Sequence, residues 1–129
     1  VLLIAACLSP EQCNALTFCA HELGLEVLLE IHTPSELSYI YKEIDMVGIN
    51  NRNLGTFVTD VENSFRIAEQ LREVTNSSQS PLLISESGIS HPDTLRDLRT
   101  AGYRGFLMGE TFMKKASPSE ALQEIINSK

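Results

Sequence analysis

Five short, nearly continuous apolar runs, at Val1 to Ala5, Val27 to Ile31, Met46 to Asn50, Pro81 to Glu86 and Gly105 to Gly109, constrain this chain more than any other feature. Each is too brief for a typical helix and lacks polar alternation, so it reads as a strand covered on both faces. Each then breaks into polar or glycine-bearing residues, with a helix-start signal downstream. Ser9-Pro10-Glu11-Gln12, Thr33-Pro34-Ser35-Glu36, Asp60, Ser90-His91-Pro92-Asp93 and Ser117-Pro118-Ser119-Glu120 all fit helix caps or first turns. The reading is an α/β chain of five sequential parallel βα units, with residues 1–129 in a single domain and no internal boundary.

The first helix is expected from Pro10 to about Leu23, with Cys13, Leu16, Ala20 and Leu23 facing inward and Gly24 ending it. A second helix is expected after Thr33, a third from Asp60 to about Val74, a fourth from Pro92 to Ala101, a short one at Glu110 to Lys114 and a last one after Ser117. Thr75 to Ser80 reads as a polar connection.

A formal charge of −7, from 17 acidic against 10 basic residues, offers no general field for gathering nucleic acid. Cys7, Cys13 and Cys19 are odd in number and form no C-x-x-C pair, so they read as reduced thiols of an intracellular, cytoplasmic protein rather than as a disulfide or zinc framework. The apolar opening is interrupted at Ser9-Pro10-Glu11 and has no basic leader, which argues against a signal peptide or a membrane-spanning helix.

Right-handed crossovers bring the carboxyl ends of parallel strands to one face, where α/β proteins keep their ligands. Glu30 is the sharpest anomaly there, a charge between Leu29 and Ile31 in an apolar strand. It reads either as a buried ion pair or strand-end carboxylate, or as a catalytic acid or base with a raised pKa. Asn50, Asn51 and Asn53 suit loop shaping, with Asn50 the strongest candidate for a further role. Arg52 can clamp a carboxylate or phosphate, or pair with Glu30 or Glu86. Ser87-Gly88 and Gly109-Glu110, after the fourth and fifth strands, form a candidate pair of anion loops, matching the phosphate site common after strands seven and eight of a β/α barrel. His21 suits a helix surface, His32 lies close enough to Glu30 to support it, and His91 belongs to a helix start. No histidine pattern indicates a metal.

Five stretches resemble the indole-3-glycerol-phosphate synthase family: Leu2 to Ala5, Leu28 to His32, Val47 to Leu54, Ile84 to Ile89 and Phe106 to Glu110. The resemblance implies strands four through eight of an eight-stranded TIM barrel, with the first three βα units absent. That family converts 1-(2-carboxyphenylamino)-1-deoxyribulose 5-phosphate to indole-3-glycerol phosphate, carbon dioxide and water in tryptophan biosynthesis, a carbon-carbon lyase reaction. The resemblance gives Glu30 an acid/base or charge-stabilising role and Asn50 a role in orienting a substrate hydroxyl. It makes Glu86 the carboxylate that positions an active-site lysine. Ser87, Gly88, Gly109 and Glu110 become the phosphate cradle, Glu110 through its backbone N–H, and Arg52 an organiser of the carboxylate network that approaches the substrate.

It implies no metal and no cofactor, a phosphorylated small-molecule substrate, and no nucleic-acid or membrane partner. The family's lysines on strands one and three have no counterpart here, since Lys42, Lys114, Lys115 and Lys129 stand in other contexts. Turnover by the segment alone is therefore not expected. Its open edges would be covered by the missing amino-terminal barrel half or by homo-oligomer pairing. Competing readings are a receiver-like doubly wound domain, a phosphoribosyl-anthranilate isomerase or related phosphate-binding barrel, and a self-associating structural half-barrel.

Overall fold

The computed structural model describes residues 1–74 and 81–128. Its five strands are β1 (Leu2–Ile4), β2 (Leu28–Ile31), β3 (Met46–Asn50), β4 (Leu82–Glu86) and β5 (Gly105–Leu107). They form one all-parallel sheet in the order β1-β2-β3-β4-β5. A doubly wound sheet reverses direction around an early strand. Strictly sequential neighbours are the order of a β/α barrel wall, so the fold is a partial TIM barrel and the receiver-like alternative is excluded.

The helices begin where the caps dictate. α1 (Pro10–Glu22) opens with Ser9 Oγ accepting from Gln12 N at 3.1 Å, while Gln12 Oε1 accepts from Ser9 N at 2.9 Å. Gly24, at φ +74°, turns the chain out of it, a left-handed conformation that costs glycine little. α2 (Glu62–Val74) follows the expected cap, with Asp60 Oδ1 accepting from Glu62 N at 3.1 Å. α3 (Pro92–Ala101), α4 (Glu110–Met113) and α5 (Pro118–Asn127) stand where the sequence places them. The expected connection Thr75 to Ser80 lies outside the described residues.

Two expectations are corrected. Pro34–Tyr39 forms a 3-10 helix rather than an α-helix. The chain must travel from the end of β2 back to the start of β3 within a short link. A 3-10 helix rises about 2.0 Å per residue against about 1.5 Å for an α-helix, so it covers that distance with fewer residues. Within α1, Cys13 and Ala20 are buried, but Leu16 and Leu23 are exposed at 44% and 72%, and Thr17 takes the inward position between Cys13 and Ala20. Thr17 enters the core because its hydroxyl donates to Cys13 O at 2.8 Å, leaving only its methyl to pack.

Alternation sorts the strands into two faces. Leu3, Leu29, Ile31, Val47 and Ile49 belong to one buried core cluster with Cys13, Ala20, Ile67, Leu71 and Leu98 of the helices. Each large aliphatic side chain among them contributes about 1.5–3 kcal/mol by leaving water. The opposite face of the sheet carries Leu2, Leu82 and Leu107, all exposed, together with the groups of the site. Among the described residues no helix is long and apolar enough to cross a membrane.

Candidate active site

Cross-strand register places Ile4, Glu30, Gly48 and Ile84 in one row, with Gly105 opposite Ile84. Two residues toward the carboxyl end, on the same face, Asn50, Glu86 and Leu107 make the next row. Glu86 leans back over Gly48, and a Cβ at residue 48 would lie 1.9 Å from Glu86 Oε1. The bare backbone of Gly48 therefore makes the room in which the Glu86 and Glu30 carboxyls meet. Both residues are buried, at 2% and 7% exposure. Burial, then a hydrogen bond with Glu30, then the charge of Glu30 push the Glu86 carboxyl up to about 8. Burial beside Glu30 thus favours the protonated form of the Glu86 carboxyl.

His32 completes this cluster. Its Nε2 lies 3.5 Å from Glu30 Oε2, too far for a good hydrogen bond. Among the described residues, both of its ring nitrogens and Glu86 Oε1 are buried without hydrogen-bond partners. Such atoms are costly in a folded chain and gain most from an incoming polar group. Asn50 is half-buried, and its Oδ1 accepts from Arg52 N at 2.9 Å, which bends the chain out of β3.

The anion loops lie beside this cluster. Ser87 and Gly88 both have left-handed backbones, φ +70° and +73°. Gly88 lies under Thr59, whose Cγ2 would be 2.4 Å from a Cβ at residue 88, so only glycine fits. Gly109 precedes α4, and Thr111 Oγ1 of that turn donates to Ile89 O, joining the two loops. A cleft of about 800 Å³ is bordered by Arg52, Ser87, Gly88, Gly109, Glu110 and Lys114. The Glu110 side chain is drawn aside, with Oε1 2.7 Å from Lys114 Nζ and Oε2 3.3 Å from Arg52 Nη2. The Lys114 hydrogen bond, and secondarily its charge, hold the Glu110 carboxyl below the usual range. Arg52 thus turns to Glu110, not to Glu30 or Glu86.

Five of the eight residues singled out in the sequence, Arg52, Ser87, Gly88, Gly109 and Glu110, border one cleft. Asn50 borders a neighbouring cleft of about 620 Å³ with His32, and Arg52 reaches both. Glu30 and Glu86 border neither, and stand as a pair on the sheet face. Two contributors escaped the sequence reading. Gly48 had a signal, a glycine inside an apolar strand, which marks close approach of another group. Asn51, expected to shape a loop, is 3% exposed and hydrogen-bonded to α2 and β4. Nothing in its local sequence distinguishes it from Asn53. Among the described residues no three His, Cys, Asp or Glu side chains gather as a metal-binding group.

Comparison with known proteins agrees with the partial-barrel fold. A family model described as "Indole-3-glycerol phosphate synthase" matches residues 1–125. The chain is 62% identical over 128 residues to a protein of that name from Bacteroides thetaiotaomicron, covering 99% of this chain and 47% of the relative. It is 41% identical to one from Magnetococcus marinus, covering 98% of this chain and 45% of the relative. It is 40% identical to one from Salinibacter ruber, covering 97% and 44%. The chain spans about half the length of the curated relatives it matches.

Proposed function

The chain belongs to the indole-3-glycerol phosphate synthase family, and from that premise we propose that it carries the strand-four-to-eight part of a site that closes an indole ring on a phosphorylated substrate. The reaction proposed for the whole site takes 1-(2-carboxyphenylamino)-1-deoxyribulose 5-phosphate to indole-3-glycerol phosphate. One carbon-carbon bond forms, a carboxyl group leaves as carbon dioxide and a hydroxyl leaves as water, so protons must be given and taken at defined points. The observation that carries this reading is the Glu30 and Glu86 pair over Gly48, continued without a gap by the left-handed Ser87-Gly88 loop.

In this reading Glu30 serves as acid/base or charge stabiliser and Glu86 organises the cationic acid and the protons around it. Asn50 orients a substrate hydroxyl. Backbone N–H groups of the Ser87-Gly88 and Gly109-Glu110 loops receive the phosphate. Gly88 rather than Ser87 donates in the first, because the Ser87 N–H donates to Leu107 O. The Glu110 side chain is held away by Lys114 and Arg52. Arg52, within reach of both clefts, steers the substrate's anionic groups. Three free cysteines support a reducing, cytoplasmic setting.

No lysine stands on any of the five strands. A general acid is commonly worth about 10² to 10⁴ in rate. The 129-residue chain by itself is therefore proposed to bind phosphate without turning over, and residues supplied by a partner segment would complete it. The test is a fluorescence assay for indole-3-glycerol phosphate with mass-verified chain, beside a calorimetric titration with inorganic phosphate. Saturable phosphate binding without product is expected. Product formation would overturn the proposed dependence on a partner, and absence of phosphate binding would overturn the cradle.

A further inference from the structure

Asn51 sits at the crossing of three elements and spends its whole hydrogen-bonding capacity there. Its Nδ2 donates to Ser85 Oγ at 3.1 Å and to Ser87 O at 3.0 Å. Its Oδ1 accepts from Ser64 N at 3.1 Å and Ser64 Oγ at 2.8 Å. Its backbone N–H donates to Glu86 O, and its carbonyl accepts from Asp60 N. Behind it, Ser64 Oγ and Ser85 Oγ lie 2.7 Å apart, and the buried Tyr103 hydroxyl donates to Ser64 O at 2.6 Å.

The orientation of the amide is fixed by its partners. Ser64 N can only donate, so Oδ1 faces it, while Ser87 O can only accept, so Nδ2 faces that side. Asn51, Ser64, Ser85 and Tyr103 are all buried, and a buried network of this kind is stiff when all its members are satisfied. Of the three residues that the Asn51 side chain bonds, Ser64 lies in α2 and Ser85 in β4, and Ser87 alone lies in the anion loop. Ser87 carries a Cβ at φ +70°, and a left-handed residue other than glycine returns to the ordinary region unless its neighbours hold it.

We propose that Asn51 is the positioning residue of the anion loop, its side-chain amide holding the Ser87 carbonyl so that Ser87 and Gly88 keep the left-handed turn that presents the backbone N–H groups of Gly88 and Ile89 to a phosphate. The Ser87 N–H itself donates to Leu107 O at 3.3 Å. The proposal rests on the reading of Ser87-Gly88 as a phosphate cradle. Asn51 acts through the backbone of Ser87 and has no contact with the ligand. A merely structural role for the network would lower stability without changing anion affinity in the folded fraction.

The experiment uses the full chain and inorganic phosphate, monitored through amide chemical shifts. The parent chain should bind with shifts centred on Ser87, Gly88 and Ile89. Asn51→Ala, a neutral change, should weaken phosphate binding by about tenfold, the cost of a left-handed residue left unsupported. Adding Ser87→Gly to Asn51→Ala should restore most of that loss, because glycine takes the same φ without a holder. Unchanged affinity in Asn51→Ala, or no recovery in the double variant, overturns the proposal. Should Asn51→Ala fail to fold, the parent chain decides: phosphate should shift the Asn51 side-chain amide resonances, and their staying still overturns the proposal. A parent chain that binds no phosphate at these amides overturns the cradle itself, an outcome distinct from failure of Asn51 alone.

Discussion

At the scale of single residues, Gly48 and Glu86 form the pair with the most consequence. A methyl at residue 48 meets only the far end of the Glu86 side chain at close range, and Leu28 Cδ1 stands at 3.3 Å. Gly48→Ala should therefore fold, but with the Glu86 carboxyl displaced from Glu30. The effect reads out through pH. The Glu86 pKa rises on folding, from an ordinary 4.5 to about 8, so the folded chain binds the proton more tightly than the unfolded chain. Its contribution to stability is complete below about pH 4.5 and is lost as pH rises through about 8. In that window the loss proceeds at up to about 1.4 kcal/mol per pH unit. Urea midpoints measured from about pH 4 to 9 should show this decline in the parent chain. Glu86→Gln should flatten it, and Gly48→Ala should reduce it. A decline of equal slope in all three would mean that another group causes it.

Among the elements, α1 offers the cleanest test of how local chemistry sets a boundary. Ser9 and Gln12 satisfy each other's backbone N–H groups, and Pro10 occupies a position whose missing N–H costs nothing. Ser9→Ala should cost about 1 kcal/mol of stability, read as a lower urea midpoint at unchanged slope. This boundary was legible because its signal lies within the consecutive residues Ser9 to Gln12. The 3-10 helix at Pro34–Tyr39 shows where that legibility stops. Thr33 and Glu36 do make a helix-start contact, with Glu36 Oε2 accepting from His32 N at 2.6 Å and from Thr33 N at 3.3 Å. The kind of helix that this contact opens depends on the distance back to β3, which no local pattern encodes. The inward assignment of Leu16 and Leu23 fails for a related reason. Hydrophobic spacing names a face for α1, but the sheet position decides which face is covered, and Thr17 gains entry through its bond to Cys13 O.

For the molecule as a whole, β1 and β5 each have one strand neighbour among the described residues, and the site face of the sheet exposes Leu2, Leu82 and Leu107. Unpaired edges and exposed apolar groups favour association. Sedimentation velocity across a wide range of concentration should show a rising mass for the 129-residue chain, and a compact monomer throughout would count against edge pairing. The sequence by itself determined the alternation of strand and helix, the parallel class of the sheet, and the strand-end positions of Glu30, Asn50, Arg52, Glu86, Ser87, Gly88, Gly109 and Glu110. These come from apolar runs, caps and charges that act over a few neighbouring residues. Tertiary structure alone decided that Glu86 meets Glu30 across Gly48, that Arg52 turns to Glu110, and that Asn51 rather than Asn53 is buried against Ser64, Ser85 and Ser87. Each of those contacts joins residues far apart in the chain, and the register that aligns the parallel strands exists only once the sheet has formed.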